Sequence, residues 1–479
     1  MSWFRADCWR QHKMAFNSDN DFATTPVPLS CRRGPITMGL LWLTMVTAFT
    51  NILIGFQWFK DGFTLSQVAT FTIVGALILL AYSIPASYLG SKSGQTYGML
   101  SRQVFGRWGS RLASFNLIWI TIAWYALGAL MLANWLDGLY HIKLPIMIVA
   151  AGLSILMAFN NFFGFTGVAN FARYVAAPML FAVMLYTFAK VLHTCPTTVL
   201  KVAPHMPPAA ALSTIAGFVI GVGVWGNEPD FWRFGQPRKR FPILPLAISL
   251  SVGQVIFPIT GWMAGRISGL TDYGFGPATN FMNDYSFGGV PLIAAVVLTA
   301  ISFAMNDSNL YGMINAVENI KTLPHTLVFG MLAILCAAFA AWLSVVTGVR
   351  ESLEAVACLS CVILPAVTVV MIVEFFVIRR ILGLETNFAH VPTMSEVSPV
   401  RWPALIALIA GCSVGILTSG IIPGSAPLRV GLCPLQAWIV AAVVYLALRL
   451  REHKLVEADR RLLYDQLQRV QEPEVDRVS

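Results

Sequence analysis

The 479-residue chain is 57% hydrophobic and only 11% charged, with a mean hydropathy of +0.69. Soluble domains carry about 25% charged residues, so this composition excludes a water-soluble globule and points to an all-α polytopic membrane protein. The net charge of +9 does not imply nucleic acid, because the basic residues sit in short loops between apolar runs, where they set topology. The expected surroundings are a lipid bilayer.

In chain order, Met1 to Ser30 is polar and lacks the hydrophobic stretch of a cleavable signal peptide. A spanning helix needs about 20 apolar residues. That rule gives about twelve spans, near 36–59, 64–89, 112–136, 144–163, 168–193, 209–228, 242–267, 290–315, 325–347, 354–378, 403–422 and 432–450. The expected division is a cytoplasmic tail over 1–34, five helices over 35–193, five more over 209–380, two additional helices over 402–450 and a cytoplasmic tail over 451–479. With the N-terminus inside, the internal segments hold 25 of the 32 Lys and Arg residues and the external ones 7. Both termini are therefore expected in the cytoplasm of a cell bounded by this membrane. Leu455, Leu462, Leu463 and Leu467 recur at helical spacing among charges, which predicts a short amphipathic helix in the tail. Cys358 and Cys361 form a CxxC without a second pair or a His cluster at zinc spacing, so no structural metal or redox role is expected. No soluble part is large enough for an enzyme, and HExxH does not occur.

Polar groups inside spans are costly and usually face a cavity. The first span carries Thr47, Ala48, Phe49, Thr50 and Asn51, followed by Gly55, which weakens the helix at mid-depth. Either the helix breaks there and frees carbonyls for a cation or substrate, or it stays intact with its polar side packed on a neighbour. The sixth span runs Gly217-Phe218-Val219-Ile220-Gly221-Val222-Gly223-Val224-Trp225-Gly226-Asn227-Glu228-Pro229-Asp230. Four glycines and a proline make a poor helix, and two interrupted spans five apart fit an inverted-repeat transporter with its site between them. Leu117, Thr121, Trp124, Gly128 and Met131 share one face of the third span, where Trp124 suits stacking on a flat heterocycle. Ser302, Asn306 and Asn309 form a stripe on the eighth span, with Asp307 alongside.

These residues, taken together, resemble the nucleobase:cation symporter-1 family, and within it the cytosine permease branch. Arg32-Arg33-Gly34 is similar to the family's entry motif, and Gly90-Ser91-Lys92-Ser93-Gly94 through Arg102 and Phe105-Gly106 to its G-x-x-x-G…R-x-x-F-G pattern. Pro229-Asp230-Phe231-Trp232-Arg233-Phe234-Gly235 resembles its D-F-x-R-F-G stretch. Asn306-Asp307 with Leu310-Tyr311 and Asn319-Ile320 resembles its N-D-x-x-L-Y…N-I stretch. The resemblance implies a LeuT-type fold of two inverted five-helix repeats with broken helices 1 and 6. It also implies symport of a nucleobase-like ring with a cation, the ring stacking on Trp124 and bonding to Asn306.

The departures are informative. Thr121 stands where cytosine permeases have Gln, and Gly221 aligns with a second stacking aromatic of the sixth span, which Phe218 replaces from another angle. The expected ring site is thus Trp124, Thr121, Phe218, Ile220, Gly221, Asn306 and Asn309, for a ring that need not be cytosine. The family's sodium site implies oxygens of Thr47, Ala48, Thr50, Asn51 and Ile301, but Ala304 and Met305 occupy its two hydroxyl positions. A thioether suits a hard cation poorly, which puts a proton carried by Glu228 or Asp307 ahead of sodium as the coupling ion. Asp230 is expected to hold Arg233 in a cytoplasmic gate. Two rival readings remain: an amino-acid or other organic-solute carrier of the same architecture, and a non-transporting membrane receptor.

Overall fold

The computed structural model describes residues 22, 24–270, 275–346, 349–425, 428 and 431–471. Most of the expected N-terminal tail lies outside these residues, as do the side chains at Leu462, Leu463 and Leu467. Helix α1 (Pro35–Val46) leads into α2 (Thr50–Lys60), then α3 (Leu65–Ser93), α4 (Tyr97–Tyr140) and α5 (Ile146–Met157). A 3-10 turn, Phe159–Phe163, joins α5 to further helix that ends with α6 (Ala177–Thr194). Then come α7 (Gly217–Gly223), α8 (Glu228–Trp232), α9 (Ile243–Leu250), α10 (Phe257–Ser268) and α11 (Phe275–Ser286). The last five are α12 (Pro291–Ile320), α13 (His325–Val346), α14 (Val349–Ile372), α15 (Trp402–Ser419) and α16 (Cys433–Gln471).

Local sequence explains several ends. Thr64 opens α3 with a reciprocal cap, its Oγ1 accepting from Gln67 N at 3.3 Å while Gln67 Oε1 accepts from Thr64 N at 3.1 Å. Thr96 caps the start of α4 with its hydroxyl, accepting from Met99 N at 3.1 Å. Gly106, at φ +75°, kinks α4 where a Cβ would lie 2.6 Å from Ser398 O, so only glycine fits beneath that loop.

Among the described residues, nine helices are long and apolar enough to cross a membrane, or ten when α1 and α2 count as one span bent by 45°. The expected twelve differ for two reasons. The fourth and fifth spans run together as one helical stretch, Ile146–Thr194, of 49 residues. At 1.5 Å per residue it reaches about 74 Å, more than twice a hydrocarbon core of about 30 Å, so two crossings are folded into it. The sixth is a shorter apolar helix, Pro208–Gly223, which falls below the length of a full crossing. Helix α11 was not expected, and α16 continues without interruption from the last span into the tail as far as Gln471.

The eighth expected span is weak in sequence because its second half is polar. The structure extends it to Ile320 and buries Asn306, Asp307, Ser308, Asn309, Asn315, Glu318 and Asn319. That half packs against α4 in the most extensive helix pair of the fold. Small residues permit the contact: a Cβ on Gly128 would meet Asn306 Oδ1 at 2.7 Å, and one on Gly98 would meet Asn319 Cβ at 2.6 Å.

Candidate substrate site between the third, sixth and eighth spans

Two helices lose their regularity partway along. Thr47 is extended (φ −125°, ψ 113°) between α1 and α2. In the sixth span Val224 is extended (φ −91°, ψ 135°) and Gly226 is left-handed (φ +81°) before α8 begins. A Cβ on Gly226 would crowd the backbone of Leu364, so the turn demands glycine twice over. The amides freed there are not orphaned. Glu228 Oε1 accepts from Trp225 N at 3.4 Å and Gly226 N at 3.2 Å, while its Oε2 accepts from Tyr82 OH at 2.8 Å. Thr368 Oγ1 donates to the Gly226 carbonyl. A fully buried carboxylate thus fastens the interrupted backbone.

Between the two interruptions lies a small cavity of about 30 Å³. Its walls are Met45, Val46 and Ala48 from the first span, Thr121 and Trp124 from α4, and Val222, Val224 and Trp225 from the sixth span. Met305 and Asn309 of α12 and Ser360 and Leu364 of α14 complete it. None of these lining residues is charged. A second cavity, of about 670 Å³, is lined by the ends of five spans, among them Trp58 and Asp61 of the first, Phe218 of the sixth, Glu354 and Cys358 of α14, Thr418 of α15 and Cys433 of α16. Those ends share one face of the bundle, since they are C-terminal ends of odd-numbered spans and N-terminal ends of even-numbered ones.

The expected ring site is therefore only partly brought together. Trp124, Thr121 and Asn309 line the small cavity; Phe218, Ile220, Gly221 and Asn306 do not. Phe218 turns to the larger cavity, where its ring meets Trp58 edge-on at 5.8 Å. Ile220 is fully buried, and a Cβ on Gly221 would touch Ala357 Cβ at 3.1 Å, so Gly221 serves helix contact. Asn306 lies one layer deeper: its Nδ2 donates to Tyr125 O at 3.0 Å and Met157 Sδ at 3.0 Å, and its Oδ1 accepts from Asn309 Nδ2 at 3.3 Å. Thr121 reaches the cavity wall with its hydroxyl bonded to Leu117 O at 2.5 Å. Sequence reasoning missed Trp225 as a second aromatic. The signal was its place between Val224 and Gly226, since the turn at that glycine swings the residue before it out of helical register.

The coupling candidates separate. Thr47, Ala48, Thr50 and Asn51 cluster at the bend, all buried. Ile301 and Ala304 are buried on α12, whereas Met305 lines the small cavity. Asp307 points away from it: Oδ2 accepts from Asn160 Nδ2 at 2.9 Å and Oδ1 from Asn161 Nδ2 at 3.3 Å. Asp230 accepts from Tyr97 N at 2.9 Å and Asn227 Nδ2 at 3.0 Å. Arg233 donates to the Asp230 carbonyl at 3.1 Å, Tyr311 OH at 2.6 Å and Phe22 O at 2.7 Å, so its ties include backbone and phenol oxygens.

Residues 26–448 match the family described as permeases for cytosine/purines, uracil, thiamine and allantoin. The chain belongs to that family. Among curated relatives this permease is 27% identical to the cytosine permease of Escherichia coli strain K12 over 431 residues, 86% of this chain and 93% of that one. Its fold is similar to that of Mhp1, a nucleobase-cation-symport-1 family transporter in a closed conformation with bromovinylhydantoin bound: the TM-score is 0.69 at 17% identity, covering 90% of this chain and 95% of that one. It is also similar to a substrate-bound, outward-open Na⁺-coupled sialic acid symporter, with a TM-score of 0.63 at 11% identity over 92% and 94% of the two chains. The permease is thus a multi-pass membrane protein of the nucleobase:cation symporter-1 family, cytosine permease-like, with a LeuT-type fold.

Proposed function

We propose that this permease imports a neutral, planar, nucleobase-like heterocycle across the plasma membrane in symport with a cation, by alternating access between its two five-helix repeats. The observation that carries this reading is the small uncharged cavity with Trp124 and Trp225 on its walls, lying between two interrupted spans. Indole faces stack on heterocycles of any sequence of ring atoms. Asn309, whose Nδ2 is engaged by Asn306, offers its carbonyl oxygen to a ring N–H. Thr121 and Ser360 add hydroxyl-bearing side chains to the lining. A carboxylate-bearing solute would find no cationic side chain among those lining residues, which favours a ring over an amino acid.

A cavity of about 30 Å³ has room for roughly one water molecule. Loading a ring therefore requires side chains to move, and Trp225 is the mobile candidate because it sits on the irregular backbone beside Gly226. With both termini cytoplasmic, the 670 Å³ cavity faces outward and serves as the entry vestibule. The test is uptake of radiolabelled nucleobases and related rings into proteoliposomes, with sodium or proton gradients imposed, for wild type and Trp124→Ala. Gradient-driven uptake of a ring that the variant loses is the expected result. Uptake of none of the rings sinks the reading, and ring binding without uptake would make the protein a receptor.

A further inference from the structure

The bend of the first span and the turn of the seventh span packed on it hold three buried side-chain oxygens with no hydrogen-bond partner: Thr47 Oγ1, Asn51 Oδ1 and Gln254 Oε1. All three residues have zero exposure. Buried polar atoms left unpaired are uncommon and costly, so three at one contact call for an explanation.

They do sit at one contact. Asn51 Nδ2 donates to Gly253 O at 2.7 Å and to Val46 O at 3.4 Å, and Gln254 Nε2 donates to Val46 O at 2.6 Å. A Cβ on Gly253 would collide with Thr47 Oγ1 and lie 2.9 Å from Val46 O. Both amides are thereby oriented: their nitrogens are committed to carbonyls, and their oxygens face the other way with nothing to accept from. The backbone on each side is irregular as well. Thr47 leaves the helix, and Gly253 and Gln254 lie within a π-helical turn, Ser251–Ile256, between α9 and α10. Such turns free a carbonyl from the helical ladder and recur at functional sites.

We propose that Thr47 Oγ1, Asn51 Oδ1 and Gln254 Oε1 form a binding site for a dehydrated monovalent alkali cation, sodium foremost, at the contact of the first and seventh spans. Hard cations take oxygen ligands, and carbonyl and hydroxyl oxygens meet that requirement. Every group named at the contact is neutral, which suits one positive charge and not two. Amide and hydroxyl oxygens do not hold a proton near neutral pH, so this cluster answers to an alkali ion. The site shares Thr47 and Asn51 with the one expected between the first and eighth spans, but turns to Gln254 of the seventh span, because Ala304 and Met305 of the eighth supply no side-chain oxygen. It also adjoins the ring cavity, because Val46 belongs to both. Bound there, the ion holds the bend in the shape that forms the cavity wall. As a coupling site it rests on the symport reading above; as a cation site it stands without it.

The experiment is thermal unfolding of the purified full-length protein in detergent, titrated with NaCl against choline chloride at constant ionic strength and without any ring. A ligand that binds only the folded state raises Tm with its concentration. The expected result is a sodium-dependent rise in Tm for wild type. Thr47→Val should weaken the apparent sodium affinity at least tenfold, and Thr47→Ser should restore it. Thr47→Val removes a hydroxyl that bonds to nothing, so its fold is expected to survive; Gln254→Met serves as the second variant and should give the same loss. Two results overturn the proposal: a Tm indifferent to sodium relative to choline, which would mean a buried water only, or a sodium effect undiminished in both variants, which would put the ion elsewhere. Neither depends on ring uptake, so this test can fail while the transport reading stands, and the converse.

Discussion

Trp225 is the residue whose role the structure changes most, and its removal gives the sharpest test of the ring site. It lines the 30 Å³ cavity along with Trp124, is only 9% exposed, and packs its ring edge-on against Phe231 at 5.7 Å. Stacking of a base on an aromatic side chain contributes about 1–3 kcal/mol. Removing that contact should weaken ring affinity by about 5- to 150-fold, since about 1.4 kcal/mol is tenfold. Trp225→Ala also leaves a void, and truncating a buried Trp costs about 3–5 kcal/mol of stability. Trp225→Leu is therefore the better probe, because it keeps apolar bulk and loses the π face. Trp225→Phe, which keeps a smaller π face, should fall between wild type and the Leu variant. The assay is equilibrium binding of a radiolabelled ring to purified protein, with Tm measured in parallel to confirm folding. Wild-type affinity, within about twofold, in folded Trp225→Leu would refute the stacking role and return the second face of the ring to another residue.

Other expectations follow from the same geometry. Glu228→Ala should reduce transport at least tenfold: it leaves Trp225 N, Gly226 N and Tyr82 OH without the carboxylate they donate to, and a buried donor left unpaired costs about 1–3 kcal/mol. Initial uptake rates at equal expression check this, and an unchanged rate would separate Glu228 from the turn. Gly226→Ala should lower Tm by several degrees, because a left-handed residue costs about 1–2 kcal/mol and its Cβ has no room beside Leu364. Cys358 Sγ and Cys433 Sγ lie 3.9 Å apart on the vestibule wall. Mild oxidation should close them to a disulfide of about 2.05 Å, pinning the tenth span to the twelfth and slowing uptake until a reductant is added. Peptide mapping under non-reducing conditions reads this directly, and absence of the cross-linked peptide would contradict the close approach of the two spans.

Some features of this permease are fixed by composition and order alone. A chain with 11% charge and 57% hydrophobic residues has nowhere to bury its surface except a bilayer. Trp124, Thr121 and Asn309 were legible because helical periodicity places side chains on a face without reference to any partner helix. The bend at Thr47 and the turn at Gly226 were legible for a similar reason, since β-branched residues, glycine and proline act on the backbone locally. What tertiary structure decided was depth. Asn306 and Asn309 share a stripe, yet only Asn309 reaches the cavity, because Gly128 lets α4 come close enough to swallow Asn306. Phe218 and Trp225 are seven residues apart in one span. Which of them lines the small cavity depends on the left-handed turn at Gly226 and on α14 pressing against it. Gln254 lies six spans further along the chain than Thr47 and joins it only through helix packing that no local pattern encodes.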